Sequence, residues 1–360
     1  MDTTDALGRT VRTEYDALDC VIRETDALGG EITYIYDAMG RCIQTVNADG
    51  AVTSYEYDQS GRLIKMTDAL GHSREYAYDG AGNVLSQTDE NGVKRTYEYD
   101  SLNRLKKAVD GLGNESRYEY DKVGNRISYT NRNGKKTTYT YDTLNRLVTE
   151  TDAEGNATRF SYDKNGRITA VTDGNGNTTT YRLDGNGNIT EQTDALGHTS
   201  YFEYDALNRL KKIRLYSEEN MQGEQITLYS YDKRGLRTLE INAAGAEKEY
   251  SYDEVGNLVL TVDEDNYRTA YTYDGNNQLT GITYQDGKEV RYCYDKSGNL
   301  IQMEDWNGTT QYERDALERL KVITDHNGRK LSYEWDAVGN LTALTYPDGE
   351  KAQFTYDVSA

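Results

Sequence analysis

Residues 78–92 read YDGAGNVLSQTDENG, one copy of a unit that returns from one end of the chain to the other. Its Tyr78-Asp79 pair recurs at Tyr36-Asp37, Tyr57-Asp58, Tyr99-Asp100, Tyr120-Asp121, Tyr141-Asp142 and Tyr162-Asp163, with 21 residues to each step. Anchored on the aspartate, 17 copies run from Asp16 to Asp357; Tyr precedes the Asp in 14, and Leu183, Arg314 and Trp335 take its place in the others. Self-similarity at a fixed period marks a repeat architecture, so the reading of one unit carries over to all.

Three residues after the Asp comes Gly or Asn, as in Gly40, Gly61, Gly82, Asn103, Gly124 and Asn145. The two residue types that interchange here are those that tolerate a positive φ. Asp19 and Glu318 depart from the pattern, and Glu318 fits it worse. The Asp side chain can accept hydrogen bonds from amides just ahead of it, which makes the pair the start of a tight turn. An aliphatic residue such as Leu63, Leu105 or Leu147 then opens a short strand that ends at Thr-Asp, as at Thr67-Asp68 and Thr88-Asp89. A second Gly-bearing turn follows, then a Thr- and Tyr-rich strand back to the next pair. Two turns and two strands fit the period at ordinary strand lengths. Each copy is one β-hairpin, and the chain reads as all-β: a repeat array of antiparallel hairpins over residues 1–360. About 34 strands at ~4.8 Å give a contour of roughly 160 Å. Twist accumulating over so many strands predicts a curved or spiral sheet.

Composition agrees. Only 36% of residues are hydrophobic, and 33 of the 360 are Tyr against 3 Phe and 2 Trp. That supply cannot fill an aliphatic core between layers, but it suits a thin sheet, because a Tyr ring buries area while its hydroxyl reaches a polar partner. Rows of Tyr across neighbouring hairpins are expected to stabilise the sheet. Disorder, the other reading of a polar chain, conflicts with the aromatic content and the phased turns. The net charge of −20, without a basic stripe, argues against nucleic-acid binding. Cys20, Cys42 and Cys293 fall at three different places in their units and leave at least one thiol free. Met1 opens onto polar sequence, so neither a signal peptide nor a membrane span is expected.

The period breaks twice. Asp205 and Asp232 are 27 residues apart, the excess lying within LYSEENMQGEQ (215–225), read as a longer loop on one rim. Asp295 and Asp315 are 20 apart, and the shortened unit, placed at 308–314, is the expected site of a kink.

Candidate chemistry is sparse. His72, His198 and His326 read as turn residues in places otherwise held by Asn. No HExxH and no Cys-His cluster occurs. The turn 173–177 (DGNGN) resembles a calcium loop without the completing Glu. Paired carboxylates recur in every unit, as turn chemistry does and a glycosidase pair does not. No catalytic, cofactor-binding or metal-ligating residue is expected. The residues singled out are those of the turn itself: Tyr36, Asp37, Gly40, Tyr57, Asp58, Gly61, Tyr78, Asp79, Gly82, Tyr99, Asp100, Asn103, Tyr120, Asp121, Gly124, Tyr141, Asp142 and Asn145.

The motif YDxxGRLxxxTDxxGxxxxYxYD, complete from Tyr57 to Asp79, resembles that of the RHS/YD-repeat family, and the resemblance covers essentially the whole chain. It implies a large secreted or cell-surface protein akin to bacterial polymorphic toxins, wall-associated proteins and teneurins. In that family the hairpins spiral into a hollow shell, which in toxins encloses a C-terminal toxin domain. The implied partner is a toxin or other cargo domain of the same parent. Toxin members end the shell with an Asp-Pro-bearing cleavage segment, and no Asp-Pro occurs here. The chain therefore reads as a piece of the repeat region, neither an enzyme nor a cofactor protein. The alternative function is a module that uses Tyr rows on cell-surface glycans, although only Trp306 and Trp335 supply the indole such repeats favour. A β-propeller with two units per blade is the competing architecture, opposed by a signature that recurs every 21 residues rather than every 42.

Overall fold

The computed structural model describes residues 1–216 and 224–357. Most of the expected rim loop at 215–225 lies outside them. Its stems pair, with Leu215 opposite Gln225.

The unit is built as its sequence dictates. Strand β6 (Val52–Tyr57) turns at Asp58 into β7 (Leu63–Thr67), which turns at Asp68 into β8 (Ser73–Tyr78). Alternation sorts the side chains. In β10 (Lys94–Tyr99), Arg95, Tyr97 and Tyr99 are half-buried, while Lys94, Thr96 and Glu98 are exposed. The exposed face carries opposite charges across strand pairs, with Glu56 facing Lys65, Glu98 facing Lys107 and Glu203 facing Lys212.

These hairpins join into one 34-stranded antiparallel sheet, from β1 (Asp2–Thr4) to β34 (Lys351–Gln353), each strand beside its neighbours in sequence. No break into blades interrupts the described strands, which rules out the propeller. Each hairpin closed by a Tyr-Asp turn also carries a bulge. Glu56 faces Lys65 but Tyr57 faces Leu63, leaving Ile64 as the extra residue. A bulge bends its strand and raises local twist, and its repetition in every unit drives the coiling.

The coiling closes on itself. Asn91 hydrogen-bonds Asp336, 245 residues on, and Asn47 bonds Glu318, 271 residues on. One turn of the superhelix therefore takes about 12 units, or ~24 strands at ~4.8 Å, giving a ring roughly 37 Å across at the backbone. The wall is one sheet thick. Among the described residues the buried apolar side chains are Val290 and Ala343 alone, so no second layer or solid core backs the sheet.

Two expectations need correction. The repeat tyrosines do not pair directly across the hairpins, because they sit on alternate strands and the strand between carries other residues: Tyr55 faces Met66, and Tyr76 faces Gln87. Ring contacts occur along a strand, at 6.5 Å for Tyr76–Tyr78 and 6.3 Å for Tyr333–Trp335, and the pair Tyr118–Tyr129 crosses strands at 5.1 Å. In the shortened unit, the missing residue comes out of the turn. Glu304 pairs with Thr309 across four residues, where five separate the equivalent Thr67 and Ser73. The bulge at Glu313/Arg314 survives, and the following strand (Gly308–Arg314) keeps Tyr312 half-buried and Glu313 exposed.

The Gly/Asn place has the expected backbone: φ is 77° at Gly40, 81° at Gly61 and 60° at Asn103. Asp19 and Glu318 adopt it too, at 63° and 64°, against their intrinsic preference. Asp19→Gly should therefore stabilise the array by about 1 kcal/mol, read as a raised urea midpoint at unchanged slope. An unchanged or lowered midpoint would show that the turn gains nothing from relief of this strain.

Candidate functional site

The turns hold the molecule's polar chemistry, and they form it in three tiers. The first is the turn itself. The Asp58 amide donates to the Arg62 carbonyl at 2.9 Å and the Gly61 amide donates to the Asp58 carbonyl at 3.0 Å. Oδ1 of Asp58 accepts from the Ser60 and Arg62 amides, both at 2.9 Å. The amide and guanidinium of Arg62 hold the Asp58 carboxyl below the usual carboxylate range, although the site is open to solvent. The Thr-Asp turns repeat the design: Asp68 Oδ1 accepts from the amides of Leu70 and His72 at 2.9 Å.

The second tier latches one unit to the next. Arg62 Nε donates to its own Asp58 at 2.7 Å, and its Nη1 donates to the Asp79 carbonyl of the following turn, also at 2.7 Å. The same guanidinium lies 4.8 Å over the Tyr78 ring. The Tyr78 hydroxyl reaches back to donate to the Leu63 carbonyl at 2.7 Å, so each unit grips its neighbour from both sides. Arg41, Arg104, Arg146 and Arg209 make the same set of contacts. Trp335, which replaces the anchor Tyr, keeps the donor through Nε1 to the Leu320 carbonyl at 2.6 Å.

Where Asn stands in the Arg place the latch changes form. Asn83 Nδ2 donates to Asp79 Oδ2 at 2.8 Å and to Asn103 Oδ1 at 2.9 Å. Asn125 pairs with Asn145, Asn188 with Asn208 and Asn257 with Asn277 in the same way. The choice of Gly or Asn at the positive-φ place thus follows the preceding unit: Arg41, Arg62, Arg104, Arg146, Arg167 and Arg209 each precede a Gly, and these four Asn each precede an Asn. A Cβ at Gly61 would sit in ordinary contact with the Arg41 stem, at 3.9 Å, while at Gly82 and Gly124 nothing lies within 4 Å. The sequence reading found the turn residues but missed this Arg/Asn position, whose signal was its coupling to the next unit rather than any one residue.

The third tier is a seam between successive coils, where Thr-Asp turns of the first coil meet Tyr-Asp turns of the second. Arg9 Nη1 donates to the Asp274 carbonyl at 3.0 Å, and Asn276 Nδ2 donates to Asp26 Oδ2 at 2.8 Å. The Ser297 amide donates to Asp49 Oδ2 at 3.2 Å, Asn47 Nδ2 to Glu318 Oε1 at 2.9 Å, and Asn91 Nδ2 to Asp336 Oδ2 at 3.0 Å. Gly30 and Gly275 allow close approach of the coils, since a Cβ at either would stand 2.9 Å from the Lys296 carbonyl and from Leu28 respectively. Clefts of about 490 and 430 Å³ lie along the seam, the first floored by Asp49, Asp295, Asp315 and Glu318 with Arg314 beside them.

The remaining candidates are structural. Nδ1 of His72 and of His198 lies 3.1 and 2.9 Å from the Asp of its own turn, the place Arg62 takes elsewhere. His326 differs, preceding its turn glycine and packing its Cβ against Gly308. Both carboxylate oxygens of Asp173 are taken up within its turn, by the Asn175 and Asn177 amides and the Asn177 side chain, so that loop does not present a free carboxylate to calcium. Cys20, Cys42 and Cys293 are free thiols.

Known proteins match this architecture. The Teneurin YD-shell family model matches residues 21–162, and the RHS repeat model matches 162–199, 184–217, 252–289, 273–310 and 314–351. No curated protein matches the sequence. Among solved structures, TcdB2-TccC3 without its hypervariable C-terminal region superposes with a TM-score of 0.71 at 15% identity, over 93% of this chain and 24% of that one. The Photorhabdus luminescens Tc holotoxin pore gives 0.69 at 16% identity, over 96% and 22%. TcdB2-TccC3-TEV gives 0.64 at 16% identity, over 98% and 24%. At these identities the likeness is one of fold, and the chain spans about a quarter of each of those chains.

The latch generates a test. In a double-mutant cycle, Asn83→Arg with Asn103→Gly should show roughly 1 kcal/mol of favourable coupling relative to the two single changes. Strict additivity would sink the matching rule.

The tyrosines generate another. Desolvation raises the hydroxyl pKa of Tyr36, Tyr78, Tyr99, Tyr204, Tyr273 and Tyr294, and a hydrogen bond to Glu24 pushes Tyr34 up to about 12. A raised folded-state pKa contributes stability that is complete below the unfolded value and is lost as pH climbs through the folded one. The array should hold to about pH 10 and lose stability above it. Tyrosinate absorbance should then rise together with loss of strand circular dichroism; tyrosinate forming ahead of unfolding would contradict this.

Proposed function

Because the chain belongs to the RHS/YD-repeat family, we propose that it forms part of the wall of a hollow shell that encloses and helps deliver a toxin domain carried elsewhere in the parent protein. The observation that carries the reading is the single-layer coil: a wall one sheet thick, latched within each coil and hydrogen-bonded between coils, around space that none of its own buried apolar side chains fills. Its work is steric and needs no catalytic residue. Export to the medium or the cell surface follows from the family. The neighbouring structures, a Tc holotoxin pore and a TcdB2-TccC3 without its hypervariable C-terminal region, support a toxin as cargo.

A second reading, recognition of surface glycans, draws on Trp306, which is 55% exposed beside Tyr284, Arg291 and Glu304. Lys288 already lies 5.2 Å over its ring, which leaves less of the face free for a sugar. Glycan-array signal lost on Trp306→Ala would favour it.

The shell reading is tested by solution scattering on the purified chain. A hollow-ring profile, with a cavity inside a ring roughly 37 Å across at the backbone, is the expected result. The profile of a compact solid particle of the same mass would end it.

A further inference from the structure

Between successive units the strand ladder covers only half the joint. Between β7 and β8 the paired residues run from Thr67 opposite Ser73 to Lys65 opposite Glu75 and stop short of the Tyr-Asp rim. Beyond them two side chains bridge the gap, the Tyr78 hydroxyl on the Leu63 carbonyl and the Arg62 guanidinium on the Asp79 carbonyl. Among the described residues one joint, between Asp295 and Asp315, lacks both bridges. Arg314 stands where the anchor Tyr would reach the Leu300 carbonyl, and its Nη1 turns back to the Glu318 carbonyl of its own turn at 2.8 Å. Asn299 reaches only its own Asp295, at 3.4 Å, and Glu318 stands where the pattern puts an Asn. The joints on either side are complete. Gln278 donates to the Gly298 carbonyl at 2.9 Å and Tyr294 to Leu279 at 2.7 Å, and Arg319 donates to the Asp336 carbonyl at 2.7 Å and Trp335 to Leu320 at 2.6 Å. Where a departure stands alone, as at Cys20 or Leu183, the other bridge remains, from Tyr36 to the Val21 carbonyl or from Arg167 to the Asp184 carbonyl.

The first coil supplies what this joint lacks. Its turn at 47–50 straddles the gap, with Asp49 Oδ2 accepting from the Ser297 amide on one side at 3.2 Å and Asn47 Nδ2 donating to Glu318 Oε1 on the other at 2.9 Å. Asn47 keeps its own turn meanwhile, through Oδ1 on the Ala51 amide at 2.7 Å. An Asp in its place, as at Asp26 and Asp68, has no hydrogen to donate, so Asn47 and Glu318 are departures from the repeat that match each other. We infer that this joint is a gate in the wall, held shut from the neighbouring coil by the turn at 47–50, and that the wall parts here first.

The closed joint is incompletely satisfied. Of the three buried side-chain polar atoms without a hydrogen-bond partner among the described residues, two flank it, Ser297 Oγ and Arg314 Nε. A buried polar atom left unpaired costs free energy that access to water returns, so opening relieves both. The cleft of about 490 Å³ lies at the same place, lined by Asn47, Asp49, Asn299, Arg314 and Glu318. What still joins the two units is the ladder from Gln302 opposite Gln311 to Asp305 opposite Gly308, which serves as the hinge. The opening is lateral, within the coil, and does not depend on what the wall encloses.

Amide hydrogen exchange of the full chain, read as protection factors, tests the gate. One net hydrogen bond is about a fivefold factor in a local opening equilibrium, so two missing bridges predict protection roughly 30-fold lower at 300–302 and 312–314 than at 279–281 and 292–294 of the joint before. Asn47→Asp removes the donor and sets a second carboxylate against Glu318. Protection at 300–302 and 312–314 should then fall about fivefold further and stay unchanged at 279–281. Arg314→Tyr restores the missing hydroxyl and should raise protection at the joint about fivefold. Equal protection at the two joints of the unmodified chain overturns the inference without any variant. So does an Asn47→Asp chain that leaves the joint unchanged or loses protection evenly along the coil, which would make the bond one more contact of the seam. An Arg314→Tyr chain that folds with the joint no better protected also overturns it.

Discussion

The structure depends on one interaction, an aspartate carboxylate that satisfies the backbone of its own turn. With Oδ1 spanning two amides, it fixes a turn in which the third residue must take a positive φ, and with Oδ2 it orients the Arg or Asn that reaches the next unit. Each such hydrogen bond contributes about 1 kcal/mol net in water. Repetition, not burial, makes them sufficient. A sheet with almost no buried apolar side chain is held by many small, solvent-screened contacts, each in the same place relative to its neighbours. This also accounts for the acidic balance of the chain, since every unit needs its carboxylates.

Much of this was legible in the sequence. The interchange of Gly40 with Asn103 announced a left-handed backbone, and the pairs of Tyr two apart announced the strands. Asp19 and Glu318 looked like departures because residue type was read as conformation. Both keep the turn, since the neighbouring hydrogen bonds over-determine it. The Arg latch was missed because its evidence is relational: Arg62 is informative only beside Gly82, and Asn83 only beside Asn103. The rows of Tyr were misplaced because the unit puts its tyrosines on one of its two strands, so the residue directly opposite Tyr55 is Met66 of the other strand.

The seam left no trace in the sequence. Asn47 and Glu318 are separated by most of the chain and belong to no common motif. What brings them together is the sum of small twists over about a dozen hairpins, and a few degrees more or less in each would pair different turns. The candidate site has the same character. Its turn residues are written in every copy, whereas the surface they jointly make, a ring with two complementary rims, is a property of the pitch.

A wall made of one continuous meander has a further consequence, for how it comes apart. Apart from the seam, every unit is held only by the units before and after it, so stability behaves as a chain of nearest-neighbour terms. Such a structure has no keystone. Pulled from one end, it gives way a hairpin at a time, each step releasing an extended thread while the rest of the ring stays latched, and the same local order lets it re-form as it emerges in sequence. The coil behaves mechanically as a zip fastener wound into a tube, rigid to pressure across its wall and yielding along its thread.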